Sequence, residues 1–262
     1  MLTLSDDDVK NYTESGYLNA GPLLSDDEVD VLRDELERVI ADGDDSTKPQ
    51  PLLLRNLSGE DSAPVIQIVN IWMGSEPYRE LMMRTELGEA AAALMSCEEV
   101  RVWHDQIQYK PKLTGGVNNW HQDWPLWPML SGPGQASAWV ALDDVDEENG
   151  CMSMVPGSHL WGNQIEYLSA IEDYNNMPDE FDGHEVKVVR RPVKKGEVHF
   201  HHALTWHGSH ANNSDRPRRA IAIHYMNENS LYVKENHHPC NSLVKDVGDG
   251  EKLCGEFFPQ VL

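Results

Sequence analysis

The sequence has few features of a membrane-bound or secreted protein. It holds no apolar run near the roughly 20 residues that a membrane-crossing helix needs, so we expect no membrane partner. The N-terminal segment MLTLSDDDVKNY is acidic where a secretory signal would be basic and then apolar, which predicts no signal peptide. The four cysteines form no CxxC pair and are typical of reduced thiols in a cytoplasmic protein. They are Cys97, Cys151, Cys240 and Cys254.

Positive charge is also scarce. The 21 Lys and Arg residues oppose 44 Asp and Glu residues, and the net charge of −23 argues against a nucleic-acid partner. Residues 184–224 are an exception, because eight basic residues there oppose three acidic ones, whereas residues 1–45 hold fourteen acidic and three basic ones. The basic stretch either binds an anionic small molecule or places outward-facing charges on strands.

The 262 residues, 40% of them hydrophobic, suit one domain with a sizeable core, and we expect a monomer or weak homodimer. The segment before residue 98 favours helices. Ser25 and Glu28 form a capping box, and apolar residues behind it recur at helical spacing, which predicts a helix over 26–41. Residues 75–84 and 86–95 predict two further helices, 65–73 a strand, and the polar stretch 42–62 a loop.

After residue 97, short β-rich runs alternate with turn residues, a pattern typical of a sandwich or barrel. The predicted strands are 99–110, 135–143, 151–155, 185–193, 196–201 and 217–226. We therefore expect a single α+β domain over 1–262. Residues 1–97 form a mainly helical layer, 98–226 a β core, and 227–262 a tail packed on that core. The long segment 160–183 is large enough to be a lid over a substrate.

The tripeptide His121-Gln122-Asp123 is the first candidate for chemistry. In an extended segment both side chains leave the same face, and an imidazole beside a carboxylate can hold a divalent metal. Alone, the pattern is more typical of an ordinary polar pair on a strand than of a metal site. His207 follows 86 residues later and can complete a facial triad, which suits iron(II) with open positions for a co-substrate and dioxygen.

Arg218 follows His207 by eleven residues. A planar guanidinium binds a carboxylate with two hydrogen bonds, so it can hold the far carboxylate of an α-keto acid. If Arg218 faces inward, strand alternation turns Ala220, Ala222 and His224 inward as well, and the two alanines leave space beside the guanidinium.

With these residues in place, the sequence resembles the phytanoyl-CoA dioxygenase family of iron(II)- and 2-oxoglutarate-dependent oxygenases. The resembling segments run along most of the chain. They are SGYLNAGPLLSDDEVDVLRDELERV, WHDQIQYKP with WHQDWPLWP, ALDDVDEENGCMSMVPGSH, and KKGEVHFHHALTWHGSHANNSDRPRRAIAIHYM. The resemblance implies a double-stranded β-helix (jelly-roll, cupin-like) core. It also implies hydroxylation of a small molecule with iron(II), 2-oxoglutarate and dioxygen, releasing succinate and carbon dioxide.

The resemblance also implies roles for individual residues. His121, Asp123 and His207 would be the iron ligands and the catalytic centre. Arg218 would bind the C5 carboxylate of 2-oxoglutarate with help from Ser209. Two further positions would contact the co-substrate from neighbouring strands, Gln106 and Trp139. Strand alternation from Gln106 turns three more side chains inward, Val102, His104 and Gln108.

Tryptophans cluster near the metal motif and are either core or substrate-facing. Residues just after the motif lie at the pocket mouth in this family, so Trp124 and Trp127, with Trp103, are the candidate substrate contacts. Indole faces attract apolar and cationic groups alike. We expect no second metal site at His199, His201 and His202, because no cysteines accompany these histidines. We expect His237 and His238 to be exposed in a polar tail. The acidic run from Asp143 is expected to be a solvated turn.

Two other functions stay open. A non-redox metal enzyme on a cupin-like barrel, such as an isomerase or hydrolase, would use the two histidines and the carboxylate but has no need for Arg218. A catalytically silent binding module has no support in the sequence, because all four key residues are present. The substrate itself is not fixed by the sequence; the net charge disfavours a CoA ester, although the basic stretch could accept one.

Overall fold

The computed structural model describes residues 2–43, 45–234 and 237–262. Within them the chain forms antiparallel sheets covered by helices. The helices are α1 (Asp6–Ser15), α2 (Asp26–Asp42), α3 (Glu76–Met82), α4 (Thr85–Met95) and α5 (Ile165–Ser169). The strands are β1 (Tyr17–Pro22), β2 (Leu53–Asn56), β3 (Ile66–Val69), β4 (Val100–Lys110), β5 (Asn118–His121), β6 (Gln135–Ala141), β7 (Met152–Met154), β8 (Glu180–Phe181), β9 (His184–Glu185), β10 (Val189–Arg191), β11 (Glu197–His202), β12 (His207–Ser209) and β13 (Arg218–Asn227).

Two sheets carry the fold. The larger has the strand order β1-β11-β6-β13-β4-β3-β2, and the smaller has the order β10-β7-β12-β5. The predicted strands near 99–110, 135–143, 151–155, 196–201 and 217–226 are confirmed as members of these sheets. The predicted strand 185–193 is instead divided between β9 and β10, with residues 186–188 outside both.

The helices cover the larger sheet because their apolar faces need a partner. Capping boxes start α1 at Ser5 and α2 at Ser25, and in each the residue three positions on (Asp8, Glu28) returns a hydrogen bond. The apolar side of α2 is fully buried, which confirms the predicted helix over 26–41. Together with α3 and α4 it encloses the main core against alternate residues of β4, β6, β11 and β13. Among the described residues, no helix is long and apolar enough to cross a membrane.

The N-terminal layer is less helical than expected. The strands β1, β2 and β3 join the larger sheet, with β1 on one edge and β2 on the other. Part of the predicted loop 42–62 is therefore β2, which pairs with β3 although two of its four residues are exposed. The predicted strand 65–73 ends at Val69, because Asn70 adopts a left-handed conformation and a 3-10 turn follows.

A β-bulge changes the side-chain alternation in β4. Opposite β13, His224 pairs with His104 but Tyr225 pairs with Val102, so Trp103 is the extra residue. The expectation that Val102 faces inward with Gln106 is therefore wrong, and Val102 lies in the helix-covered core. His104, Gln106 and Gln108 keep the inward direction.

The C-terminal tail runs along the start of β4. Backbone N–H groups of Val100 and Val102 donate to the carbonyls of Leu262 and Pro259. Phe258 stacks on the bulged Trp103 at 5.7 Å. The bulge therefore gives Trp103 a packing partner outside the main core, in a second cluster formed largely by the tail.

Candidate active site

The three predicted metal ligands meet at one end of the smaller sheet. His121 at the end of β5 pairs directly with His207 at the start of β12, and their ring centroids are 4.1 Å apart. Asp123 follows β5 after one residue. Its Oδ1 lies 3.7 Å from Nε2 of His121 and 3.6 Å from Nε2 of His207. Among the described residues, these three side chains are the one group of histidine, cysteine or carboxylate side chains whose ligand atoms lie close enough together to hold a metal ion.

Backbone carbonyls fix which imidazole nitrogen is available. Nδ1 of His121 lies 2.7 Å from the carbonyl of Asn119, and Nδ1 of His207 lies 2.9 Å from the carbonyl of Thr205. Because a carbonyl only accepts, each Nδ1 carries the proton and each Nε2 keeps its lone pair. Both lone pairs belong to the nitrogens nearest Oδ1 of Asp123. Two imidazoles and one carboxylate oxygen form the ligand set of non-haem iron(II) sites, so the residues fit that ion.

The second oxygen of Asp123 is held by the surrounding protein. Ser137 Oγ donates to Oδ2 at 2.9 Å, and Nε2 of His201 lies 3.1 Å from the same oxygen. Since Ser137 gives its proton to Asp123, it accepts from Nδ1–H of His224 at 2.7 Å. These partners leave Oδ1 as the oxygen directed at the two histidines, and they orient the carboxylate.

Burial and the mutual charges of these groups act in opposite directions. Burial alone would raise the pKa of Asp123, but the neighbouring His207 and His201 bring that pKa well below its usual value. Burial, and then the nearby His121, holds the pKa of His207 well below its usual value. The site therefore presents an ionised carboxylate beside a neutral imidazole, which are the protonation states that bind a metal cation.

Arg218 is fully buried at the start of β13, and no salt bridge joins it to any described residue. Its Nε, Nη1 and Nη2 atoms have no hydrogen-bond partner among the described residues. The guanidinium lies over the Trp139 ring at 4.9 Å, and the small side chains of Ala220 and Ala222 follow on the same face. A buried cation with unused donors is costly unless a ligand supplies the acceptors. The arrangement fits a bound carboxylate.

The sequence reasoning missed Lys110, which is buried directly opposite Arg218. Its Nζ donates to the Ser209 hydroxyl at 2.7 Å and to the carbonyls of Ser209 and His210. All three ammonium protons are therefore used within the protein. Burial and the adjacent Arg218 hold the pKa of Lys110 well below its usual value. Lys110 therefore fixes the strand that carries Ser209, whereas the donors of Arg218 stay free for a ligand.

Two connected spaces adjoin the triad. A narrow cleft reaches from the three ligands towards the larger sheet and is lined by Gln106, Trp139 and Ser209. A wide cavity of about 660 Å³ opens on the other side of the triad. Its described lining comes mainly from β2 to β5, residues 126–127 and residues 237–239. No residue of 160–183 belongs to this lining. That segment instead packs on Trp120 and Trp206, which gives the lid expectation no support.

The three tryptophans that were expected to contact the substrate lie in different surroundings in the structure. Trp127 lines the wide cavity and contacts the rings of His104 and His224. Trp124 donates its indole N–H to the carbonyl of Leu130 and is not part of the lining of either space. Trp103 is fully buried at the bulge, so direct substrate contact is wrong for this residue.

The other histidines also differ from expectation. His238 is partly buried against Trp103 and His104, and it lines the wide cavity with exposed His237, so the expected exposure is wrong for His238. His199 stacks on Tyr17 and contacts His201. His201 acts on Asp123, and no second metal cluster occurs among the residues that the structure describes.

Asp143 does not lie in a solvated turn. It is buried between α2 and β13, where it accepts hydrogen bonds from Arg33 at 2.6 Å and from Arg219 at 2.9 Å. The carboxylate thus links a helix to the larger sheet, and it has no place in the metal site. The sequence places Asp143 six residues before Asn149-Gly150, and nothing in that segment signals the contact with Arg33 and Arg219.

Comparisons with known proteins agree with this geometry. The family model described as Phytanoyl-CoA dioxygenase (PhyH) matches residues 12–220. Peroxisomal phytanoyl-CoA dioxygenase of Bos taurus is 25% identical over 92% of this chain and 74% of the bovine protein. Ectoine dioxygenase of Bordetella parapertussis is 28% identical over 87% of this chain and 77% of that protein. The crystal structure of SnoK, a non-heme alpha ketoglutarate dependent carbocyclase from nogalamycin biosynthesis, matches with a TM-score of 0.78 and 28% identity over 99% of this chain and 97% of SnoK.

Proposed function

The chain belongs to the phytanoyl-CoA dioxygenase family, and from this premise we propose how its site residues divide the work. The protein is an iron(II)- and 2-oxoglutarate-dependent dioxygenase that acts on a small molecule. His121, Asp123 and His207 hold the iron through two Nε2 atoms and Oδ1. The two sheets correspond to the halves of a double-stranded β-helix, with the ligands at one end between them.

Arg218 holds the far carboxylate of 2-oxoglutarate. The single observation that carries this proposal is its fully buried guanidinium. Its nitrogens have no hydrogen-bond partner among the described residues, and it lies over Trp139, which lines the cleft beside the triad. Ser209, held by Lys110, supports the same carboxylate. Gln106 and Trp139 form walls of the narrow cleft, so the co-substrate occupies this cleft and the wide cavity stays open to the substrate.

The bound iron and 2-oxoglutarate, with dioxygen, supply the oxidising chemistry that hydroxylates the substrate and releases succinate and carbon dioxide. The protein contributes position and protonation state. The carbonyls of Asn119 and Thr205 hold both imidazoles in the metal-binding tautomer, and Ser137 holds the carboxylate. Apolar side chains pack around Trp139, on which the guanidinium lies, and this low-dielectric surrounding strengthens the interaction of Arg218 with a carboxylate.

An anaerobic titration tests the assignment. Metal-free protein receives iron(II) and then 2-oxoglutarate, and the weak visible charge-transfer band of the chelate is recorded. We expect the band in the wild type, a much weaker band in Asp123→Ala, and a much higher 2-oxoglutarate requirement in Arg218→Ala. Arg216→Ala is the matched control, because this arginine is surface-exposed and paired with Asp146.

The non-redox metal enzyme would give another pattern. Zinc or manganese would bind tightly at the same three residues, no band would form with 2-oxoglutarate, and Arg218→Ala would retain full activity. That combination of results would refute the assignment of the cleft to 2-oxoglutarate.

A further inference from the structure

We infer that the wide cavity binds a neutral substrate that presents hydroxyl groups to the cavity floor and an apolar body to its rim. The inference deepens the proposed function and rests on it, because it concerns the substrate of the same site. It is drawn from the charge, the hydrogen-bonding capacity and the rim of the wide cavity, each a property of side chains that line it.

The charge of the lining is low. The described residues that line the wide cavity include one arginine, Arg55, and no lysine. They include one carboxylate, Asp123, which is assigned to the metal. A polyanion such as a CoA thioester would meet one cation at most. A quaternary ammonium would meet no free carboxylate among the described lining residues, and Trp127 supplies a lone indole rather than an aromatic cage. Both charged classes therefore lack their usual partners here.

The floor carries buried hydrogen-bond acceptors without partners. Nδ1 of His104 lies 3.1 Å from the carbonyl of Asp105, so the proton is on Nδ1 and Nε2 is an acceptor. That Nε2 atom has no hydrogen-bond partner among the described residues, and the ring is more than nine-tenths buried. The Oδ1 atom of Asn118 is a second buried acceptor that lacks a partner among these residues.

Amide donors stand beside these acceptors. Arg55 donates to Oε1 of Gln67 at 2.8 Å, and Gln67 donates to Oε1 of Gln106 at 2.7 Å, so Gln106 keeps its amide N–H groups for another acceptor. Asn118 likewise donates to Oε1 of Gln108 at 3.0 Å, which leaves the N–H groups of Gln108 available. Within the described residues, the cavity floor thus offers amide donors from Gln106 and Gln108 beside acceptors on His104 and Asn118.

A hydroxyl group both donates and accepts, and it satisfies this mixed surface. An acyl chain would leave the buried acceptors of His104 and Asn118 unsatisfied, and a methyl ether could accept but not donate. Leaving a buried acceptor without a donor weakens binding by about tenfold or more for each site. The floor therefore selects a substrate with several free hydroxyl groups over one that is alkylated at those positions.

Three apolar side chains stand at the rim of the cavity, beside polar ones such as Ser58 and Asn119. Leu57, Val117 and Leu126 line it, and 40%, 39% and 51% of their respective surfaces are exposed. A volume of about 660 Å³ is that of a site for a drug-sized ligand. A hydroxylated head on the floor and an apolar body against these three side chains would fill the space with matching chemistry.

The test compares four probes that share an eight-carbon chain. They are n-octyl β-D-glucoside, its tetra-O-methyl derivative, octyltrimethylammonium and octanoyl-CoA, each below its micelle concentration. Isothermal titration calorimetry measures binding to the anaerobic protein with iron(II) and 2-oxoglutarate, and in parallel to the metal-free protein. We expect the glucoside to bind at least tenfold more tightly than each of the other three.

Variants identify the site of binding. We expect His104→Leu to weaken glucoside binding about tenfold and His104→Gln, which keeps an acceptor, to restore most of it. Neither change should alter the weak binding of the methylated probe. His159→Leu is the control, because this buried histidine lies against Thr13 and outside both spaces.

Each outcome decides the question. Tighter binding of octanoyl-CoA or the ammonium, equal binding of the methylated and free glucosides, or no binding by any probe would overturn the inference. Selective glucoside binding that is insensitive to both His104 variants would also overturn it. If the glucoside binds selectively but the protein forms no chelate with iron(II) and 2-oxoglutarate, the proposed function fails and the cavity assignment stands.

Discussion

The unpaired guanidinium of Arg218 predicts a conflict between stability and co-substrate binding. Replacement of Arg218 by Met keeps most of the side-chain volume and removes the charge, which has no hydrogen-bond partner among the described residues. We expect the ligand-free Arg218→Met protein to be more stable than the wild type, and to lose the stabilisation that 2-oxoglutarate gives.

The magnitude follows from the burial of the charge. Burial lowers the pKa of Arg218 from 12.5 to about 10. At about 1.36 kcal/mol per pKa unit, the charged form destabilises the fold by about 3 kcal/mol at every pH below about 10. The cation–π contact with Trp139 offsets about 1–2 kcal/mol of this. The expected net gain in the free energy of unfolding for Arg218→Met is therefore about 1–2 kcal/mol.

Urea denaturation at pH 7.5 measures both effects. The unfolding midpoint is recorded under anaerobic conditions with iron(II), in the absence and presence of 2-oxoglutarate. At a ligand concentration 100 times its dissociation constant, the wild type should gain about 2.7 kcal/mol. Arg218→Met should gain almost nothing, and its midpoint without ligand should exceed that of the wild type.

Arg216→Met provides the control, because Arg216 is exposed and paired with Asp146, and should change neither value by more than about 0.5 kcal/mol. If Arg218→Met loses several kcal/mol without ligand, the guanidinium has a structural partner and the reasoning is refuted. The same conclusion follows if this variant is stabilised by 2-oxoglutarate as strongly as the wild type.

Three further predictions concern the support of the site and the fold. Ser137→Ala and His201→Phe, which each release the second oxygen of Asp123, should lower iron(II) affinity by about 10–100-fold, as measured by competition with a chelator, while the fold by circular dichroism stays unchanged. Burial raises the pKa of Asp105 to about 7, although hydrogen bonds from the backbone amides of Ile71 and Trp72 act to lower it. Above about pH 4 the folded state therefore keeps a proton that the unfolded state has lost. The free energy of unfolding should fall by up to about 4 kcal/mol between pH 4 and 7. Asp105→Asn should flatten that dependence in urea titrations, and an unchanged slope would exclude Asp105 as its source. Asp143→Ala leaves Arg33 and Arg219 without their shared carboxylate and should cost about 1–3 kcal/mol of unfolding free energy, whereas Asp144→Ala next to it should cost less than about 0.5 kcal/mol.

The sequence allowed the local elements to be predicted where periodicity and capping agreed. The capping box at Ser25 gave α2, and the alternating run after Arg218 gave β13 with its inward alanines and His224. Spacing and residue type also indicated which side chains would meet at the metal site. In each case the physical signal lies within a few neighbouring residues.

Long-range pairing was not accessible in the same way. The bulge at Trp103 depends on the register of β4 against β13 and on packing by the C-terminal Phe258, so strand alternation misplaced Val102. His238 reaches the cavity from the tail because it packs on Trp103, a contact 135 positions away in sequence. Lys110 has its role only through hydrogen bonds to Ser209 and His210, about 100 positions away in sequence.

Anomalous diffraction at the iron edge tests the central claim most directly. Crystals grown anaerobically with iron(II) and 2-oxoglutarate should show one strong peak bound by Nε2 of His121, Nε2 of His207 and Oδ1 of Asp123. The far carboxylate of 2-oxoglutarate should lie on the guanidinium of Arg218. An iron peak on His199 or His201, or a 2-oxoglutarate molecule that leaves Arg218 unpaired, would contradict the account.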